Sequence, residues 1–151
     1  MVLQKLNLPE CSLNIKNSDG KEQIFDSLRN RFVALTPEEW VRQNFVNYLI
    51  HFKDYPAALM TNEIQINLNG MNRRCDTVVY DRTLSARVII EYKRPTVDIT
   101  SEVFAQISRY NIVMKVDYLI VSNGLTHYCC KMNYDNSTFN FLTEIPNFTS
   151  L

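Results

Sequence analysis

Apolar and polar positions change rhythm several times along the 151-residue chain, and each change marks an element. From Leu6 to Phe25 the spacing predicts a small antiparallel hairpin. Ser12 to Lys16 alternate, Asn17 to Gly20 supply turn residues, and Gln23 to Phe25 resume the strand. Asp26 to Leu35, with Arg29 and Arg31, reads as a basic connector. Thr36-Pro37-Glu38-Glu39 then starts a helix: Thr36 suits the cap, Pro37 the first helical position, and Glu39 completes a capping box. Val41, Phe45, Tyr48, Leu49 and Phe52 recur at helical spacing, which predicts one apolar face running to about Phe52.

After a loop from Lys53 to Ala58, period two takes over. Asn62 to Leu68 alternate with Ile64, Ile66 and Leu68 inward, and Asn69-Gly70 is a hairpin signal. Two adjacent strands follow within Asn72–Pro95, separated by a polar turn at Asp81 to Ser85. Val88-Ile89-Ile90 is a continuous β-branched run, as expected of a central strand buried on both faces. Asp98 to Lys115 reads as a second helix capped by Thr100 or Ser101. Asp117 to Ser122 is then a strand reached by a parallel crossover. Asn123-Gly124 turns the chain into a strand from Thr126 to Met132, and Thr138 to Leu142 forms a short edge strand. The pattern predicts an α/β domain with a mixed central sheet flanked by helices and an N-terminal hairpin. It is a single unit over 1–151, with hairpin and connector in 1–35 and the core in 36–151.

Composition narrows the function classes. A formal net charge of zero argues against a broadly basic nucleic-acid coat and leaves room for a local patch. The apolar runs are too short to span a bilayer, so the expectation is a cytoplasmic protein with no membrane partner. Cys11, Cys75, Cys129 and Cys130 lack CxxC and zinc-type spacing, which favours free thiols. His51 and His127 show no partner spacing.

The chemistry concentrates on the adjacent strands. Asp76 opens one apolar run, and Glu91 and Lys93 close the next. Residues two apart on a strand share a face, so Glu91 and Lys93 project together while Tyr92 points away. Paired strands would bring Asp76 close to Glu91, and the two carboxylates then repel unless one is protonated or a cation lies between them. Carboxylate and carbonyl oxygens suit Mg²⁺. The same residues also read as a solvated strand end. On the first helix, Glu38 lies near the buried face and Glu39 off to the side. Both also read as favourable charges in the first turn.

The order of these residues resembles the PD-(D/E)XK nuclease superfamily, and more narrowly the N-terminal nuclease domain of type I restriction enzyme R subunits in its short stand-alone bacterial form. The resemblance rests on Ile24-Phe25-Asp26, Leu35 to Gln43, Arg74-Cys75-Asp76, Glu91-Tyr92-Lys93-Arg94-Pro95, Gln106 to Tyr110 and Ser122-Asn123-Gly124. It implies a restriction-endonuclease-like core in which Asp76, Glu91 and the Tyr92 carbonyl hold Mg²⁺ or Mn²⁺. Lys93 would be the catalytic lysine and Glu38 the helix acid, with Gln106 and Tyr110 an accessory pair near the substrate backbone. Cys75 stands where the superfamily often has proline. No GxxxxGK[ST] loop occurs in the chain, so the resemblance carries no motor.

Two functions follow as expectations. The first is Mg²⁺-dependent cleavage of DNA, with Arg73, Arg74, Arg94, Arg109 and Lys115 available to clamp phosphates. The second is a non-catalytic nucleic-acid-binding or assembly module on the same fold. Restriction-modification or helicase subunits acting in trans are implied partners, and the apolar Tyr118–Val121 and Tyr128–Lys131 runs allow a homodimer.

Overall fold

Turn chemistry lays out the N-terminal region. The computed structural model describes residues 2–151, the side chain of Tyr110 excepted. β1 (Ile15–Ser18) and β2 (Lys21–Asp26) pair antiparallel across a tight turn. Asp19 and Gly20 there take left-handed φ values of 52° and 76°, which match the twist of a two-residue hairpin. The turn is therefore shorter than the Asn17–Gly20 span expected, and Asn17 lies in the strand. The following segment is not a connector. Arg31–Ala34 forms β3 and completes a three-stranded antiparallel sheet. Asp26 makes this possible by accepting the backbone N–H groups of Leu28 (2.8 Å) and Arg29 (3.0 Å), which closes the chain into a turn.

α1 (Pro37–Phe52) begins where the capping signal lies, with the Thr36 hydroxyl accepting the Glu39 N–H at 3.0 Å. Only half of the capping box forms. The Thr36 N–H goes to the Ala34 carbonyl, and the Glu39 carboxylate is spent on Arg29, Arg42 and Gln43. Val41, Phe45 and Leu49 are fully buried, whereas Phe52 is 55% exposed because it ends the helix beyond the edge of the core. The loop after α1 carries a short 3-10 turn at Ala57–Leu59.

The larger sheet contains β4 (Met60–Leu68), β5 (Met71–Tyr80), β6 (Ala86–Tyr92), β7 (Tyr118–Ser122), β8 (His127–Asn133) and β9 (Thr138–Phe141), in that spatial order. All neighbours are antiparallel except β6 and β7, which are parallel and joined by α2 (Ser101–Met114). Thr100 caps α2 by accepting the Val103 N–H at 3.2 Å. Alternation along β6 splits the core. Val88, Ile90 and Tyr92 pack under α1 with Phe45 and Leu49, while Ile89 packs under α2 with Phe104, Ile107 and Leu119. Burying each such side chain contributes about 1.5–3 kcal/mol against chain entropy. The result is an α+β fold with helices on both faces of a mixed sheet. Among the described residues no helix is long and apolar enough to cross a membrane.

Candidate active site

Strand register decides which polar side chains meet. The β5–β6 ladder ends at the Thr77–Ile90 pair, with Asp76 and Glu91 the next residues along the two strands. Asp76 Oδ2 accepts the Tyr92 backbone N–H at 2.9 Å. Asp76 acts on the Glu91 carboxyl as a neighbouring charge and through side-chain hydrogen bonding, and both raise its pKa. Arg73 Nη2 donates to Glu91 Oε1 at 2.5 Å, with both side chains largely buried. Burial, followed by the charge of Asp76, pushes the Glu91 carboxyl up to about 8, and Arg73 and Lys93 oppose the shift only in part.

Glu38 completes the acidic group from the first turn of α1. Burial raises its pKa first and the charge of Asp76 second. Glu63 adds to the rise, while Arg42 and Lys93 oppose it. Glu39 points elsewhere, bound to Arg29, Arg42 and Gln43. The structure thus draws Glu38, Asp76, Glu91 and Lys93 into one electrostatic neighbourhood and leaves Glu39 in an ion-pair network.

Further members of this group were not assigned from the sequence. Glu63 lies on β4 with a left-handed φ of 53°, an uncommon backbone state for a glutamate inside a strand. The β4–β5 ladder pairs Asn62 with Thr77 and Ile64 with Cys75, and the Glu63–Asp76 step between them is missing. Glu63 turns its carboxylate to Arg42 Nη2 and to Arg74 Nε, the latter at 2.7 Å. Burial alone would raise its pKa, but hydrogen bonds from Arg74 and Arg42 outweigh burial and lower it. Arg42 is 2% exposed and also comes within 3.8 Å of Asp76 Oδ1. Its position four residues after Glu38 places it on the same helical face, a signal present in the sequence. Nothing in the pattern of β4 signals the backbone turn at Glu63.

The outlying cations and accessory residues are arranged differently. Arg74 is mostly exposed and tied to Glu63. Arg94 is exposed and lines a cleft of about 220 Å³ with Pro37, Trp40 and Pro95. Gln106 and Arg109 lie on the outer face of α2, along an open groove of about 630 Å³ whose described lining residues all belong to that helix. The side chain of Tyr110 lies outside the described residues. His127 is held by Ser122 (2.7 Å) and the Asn7 carbonyl (2.9 Å), so it serves packing.

The donor set fits a hard divalent cation. Two neighbouring carboxyl groups with a backbone carbonyl at the same strand end are oxygen ligands that Mg²⁺ accepts while keeping several waters. Among the described residues no group of three or more His, Cys, Asp or Glu side chains is placed to hold an ion. Backbone oxygen and water would therefore complete the coordination.

A mixed sheet flanked by helices, carrying two carboxylates and a lysine where its two parallel strands end, defines an α+β domain. The chain belongs to the family described as the type I restriction enzyme R protein N terminus, which matches residues 37–146. The match covers α1 and the whole larger sheet and supports a nuclease-like role within restriction-modification. Comparison with curated proteins gives no match.

Proposed function

We propose that this domain hydrolyses DNA phosphodiester bonds with the help of Mg²⁺ or Mn²⁺. The observation that carries the reading is that Asp76 Oδ2 accepts the Tyr92 N–H at 2.9 Å, which holds its carboxylate beside the strand end bearing Glu91, where a cation between the two acids would relieve their repulsion. Asp76, Glu91 and the Tyr92 carbonyl would hold the ion. When bound, it would polarise the scissile phosphate and make water a better nucleophile. Lys93 would orient the attacking water and offset developing negative charge. Glu38, its pKa raised by burial and then by the charge of Asp76, would exchange a proton with that water or with the leaving oxygen. Arg74, Arg94 and Arg109 would bind backbone phosphates, with Gln106 and Tyr110 on the same helix as Arg109.

The test is nicking of supercoiled plasmid with Mg²⁺ or Mn²⁺. Asp76→Asn and Lys93→Ala should each lower the rate by about 100-fold or more, in the range of losing a charge-stabilising catalytic group. Calorimetry should show Mn²⁺ binding to the wild type and its loss in Asp76→Asn. Cleavage that survives both substitutions, or DNA binding indifferent to EDTA with no cleavage under either metal, would instead favour a non-catalytic binding or assembly module. Partner subunits supplying a motor in trans follow from the same family membership and belong to this proposal.

A further inference from the structure

Glu91 is not idle without a metal. Its Oε1 is taken by Arg73 at 2.5 Å, in a largely buried pair. A cation binding to Glu91 meets that guanidinium already in place on the same carboxylate, and two positive groups on one carboxylate repel each other. Arg42 is in a different position. It is 2% exposed and bound between Glu39 and Glu63, so it is fixed as scaffold.

Building on the metal-dependent reading above, we propose that Arg73 is a phosphate-binding residue held in reserve by Glu91: the entering cation displaces it, and the freed guanidinium pairs with the DNA backbone beside the metal. The planar fork of arginine suits both partners, since carboxylate and phosphate present the same two-oxygen edge. No bond is made or broken in this exchange. One ion pair replaces another, and metal affinity becomes linked to DNA affinity.

Arg73→Gln separates the two halves of the idea, and Arg73→Lys, which keeps the charge without the fork, guards against misfolding of the first variant. Calorimetric titration with Mn²⁺ at pH 8.5 should show Arg73→Gln binding the ion about tenfold more tightly than wild type, as expected on removing a charged competitor worth one hydrogen-bonded ion pair, with Arg73→Lys between them. Fluorescence anisotropy on a short duplex should show the reverse order. With Ca²⁺ present, Arg73→Gln should lose about tenfold in DNA affinity, and with EDTA it should match wild type, because Arg73 is then still on Glu91. Metal binding that is unchanged or weaker in Arg73→Gln, or an equal loss of DNA affinity with and without Ca²⁺, overturns the role of Arg73 and leaves the metal site standing. Absence of Mn²⁺ binding in the wild type and in both variants overturns the metal site and the exchange together.

Discussion

At the scale of single residues, Glu91 carries the sharpest consequence. Its carboxyl is pushed up to about 8 from an ordinary 4.5, chiefly by burial and then by Asp76. A carboxyl raised in this way keeps its proton in the folded chain after the unfolded chain has lost it. Between those two values the folded state binds more protons, so stability falls as pH rises. Glu38, raised by the same causes in the same order, adds to the trend. In EDTA, thermal melts of the wild type should lose several degrees between pH 5 and pH 8. Glu91→Gln should flatten that slope and melt higher than wild type at pH 8, by about 5 °C for a gain of a few kcal/mol. Mg²⁺ should restore the wild type at pH 8 and leave the variant unmoved. A slope that survives Glu91→Gln would assign the strain to another group. The acids themselves were legible in the sequence as residues of two adjacent strands, but the bulge between Val79 and Tyr80, which brings Thr77 opposite Ile90, was not. Their counter-ions were only partly legible. Arg73 was visible as a nearby cation, but nothing in the pattern says that it binds Glu91, and Glu63 enters the site through a backbone conformation that alternation cannot encode.

At the scale of elements, the start of α1 shows how a correct local signal can hide a different use. Thr36, Pro37 and Glu39 predict a capping box, and the helix does begin there with the Thr36 hydroxyl on the Glu39 N–H. In a true box a glutamine at position 39 would serve as well as glutamate. Here the Glu39 carboxylate is 8% exposed and lies between Arg29 and Arg42, so its charge is needed. Glu39→Gln should therefore cost about 3 kcal/mol, as expected for breaking a buried ion pair, whereas Thr36→Ala should cost about 1 kcal/mol, the usual worth of an N-cap. Urea denaturation of the two variants checks the order, and equal costs would restore the capping-box reading. The third strand of the small sheet was missed for a related reason. Arg31-Phe32-Val33-Ala34 is too short to show alternation, and the turn that returns it to β2 is built by the Asp26 carboxylate rather than by glycine. The central strands and both helices run long enough for periodicity to locate them, and they lie where it places them.

At the scale of the whole molecule, one buried polar chain ties the small sheet to the centre of the large one. Asp26, fully buried, accepts Arg29 Nε at 2.5 Å and Asn62 Nδ2 at 2.9 Å. The Asn62 carbonyl accepts the Thr77 hydroxyl at 2.6 Å, and the Thr77 oxygen meets the Tyr92 hydroxyl at 2.9 Å. The chain thus ends on the residue whose backbone N–H holds Asp76. Burial would raise the pKa of Asp26, but hydrogen bonds from Asn62 and from the Arg29 backbone and side chain, together with the Arg29 charge, outweigh it and lower the value. A lowered carboxyl stabilises the fold above its unfolded value, and that contribution is lost as pH falls through the folded one. Acid should accordingly loosen the small sheet from the large one. Asp26→Asn, nearly isosteric, should do the same at neutral pH at a cost of about 3 kcal/mol, since it leaves Arg29 half-compensated in a buried setting. Hydrogen exchange resolves where that cost falls. The amides of β1–β3 should exchange at least tenfold faster in Asp26→Asn, while those of β6 and β7 change little, because their protection comes from the apolar layers under α1 and α2. Uniform acceleration across both sheets would mean that the chain is part of a single cooperative unit, and that the small sheet cannot loosen without the site-bearing strands.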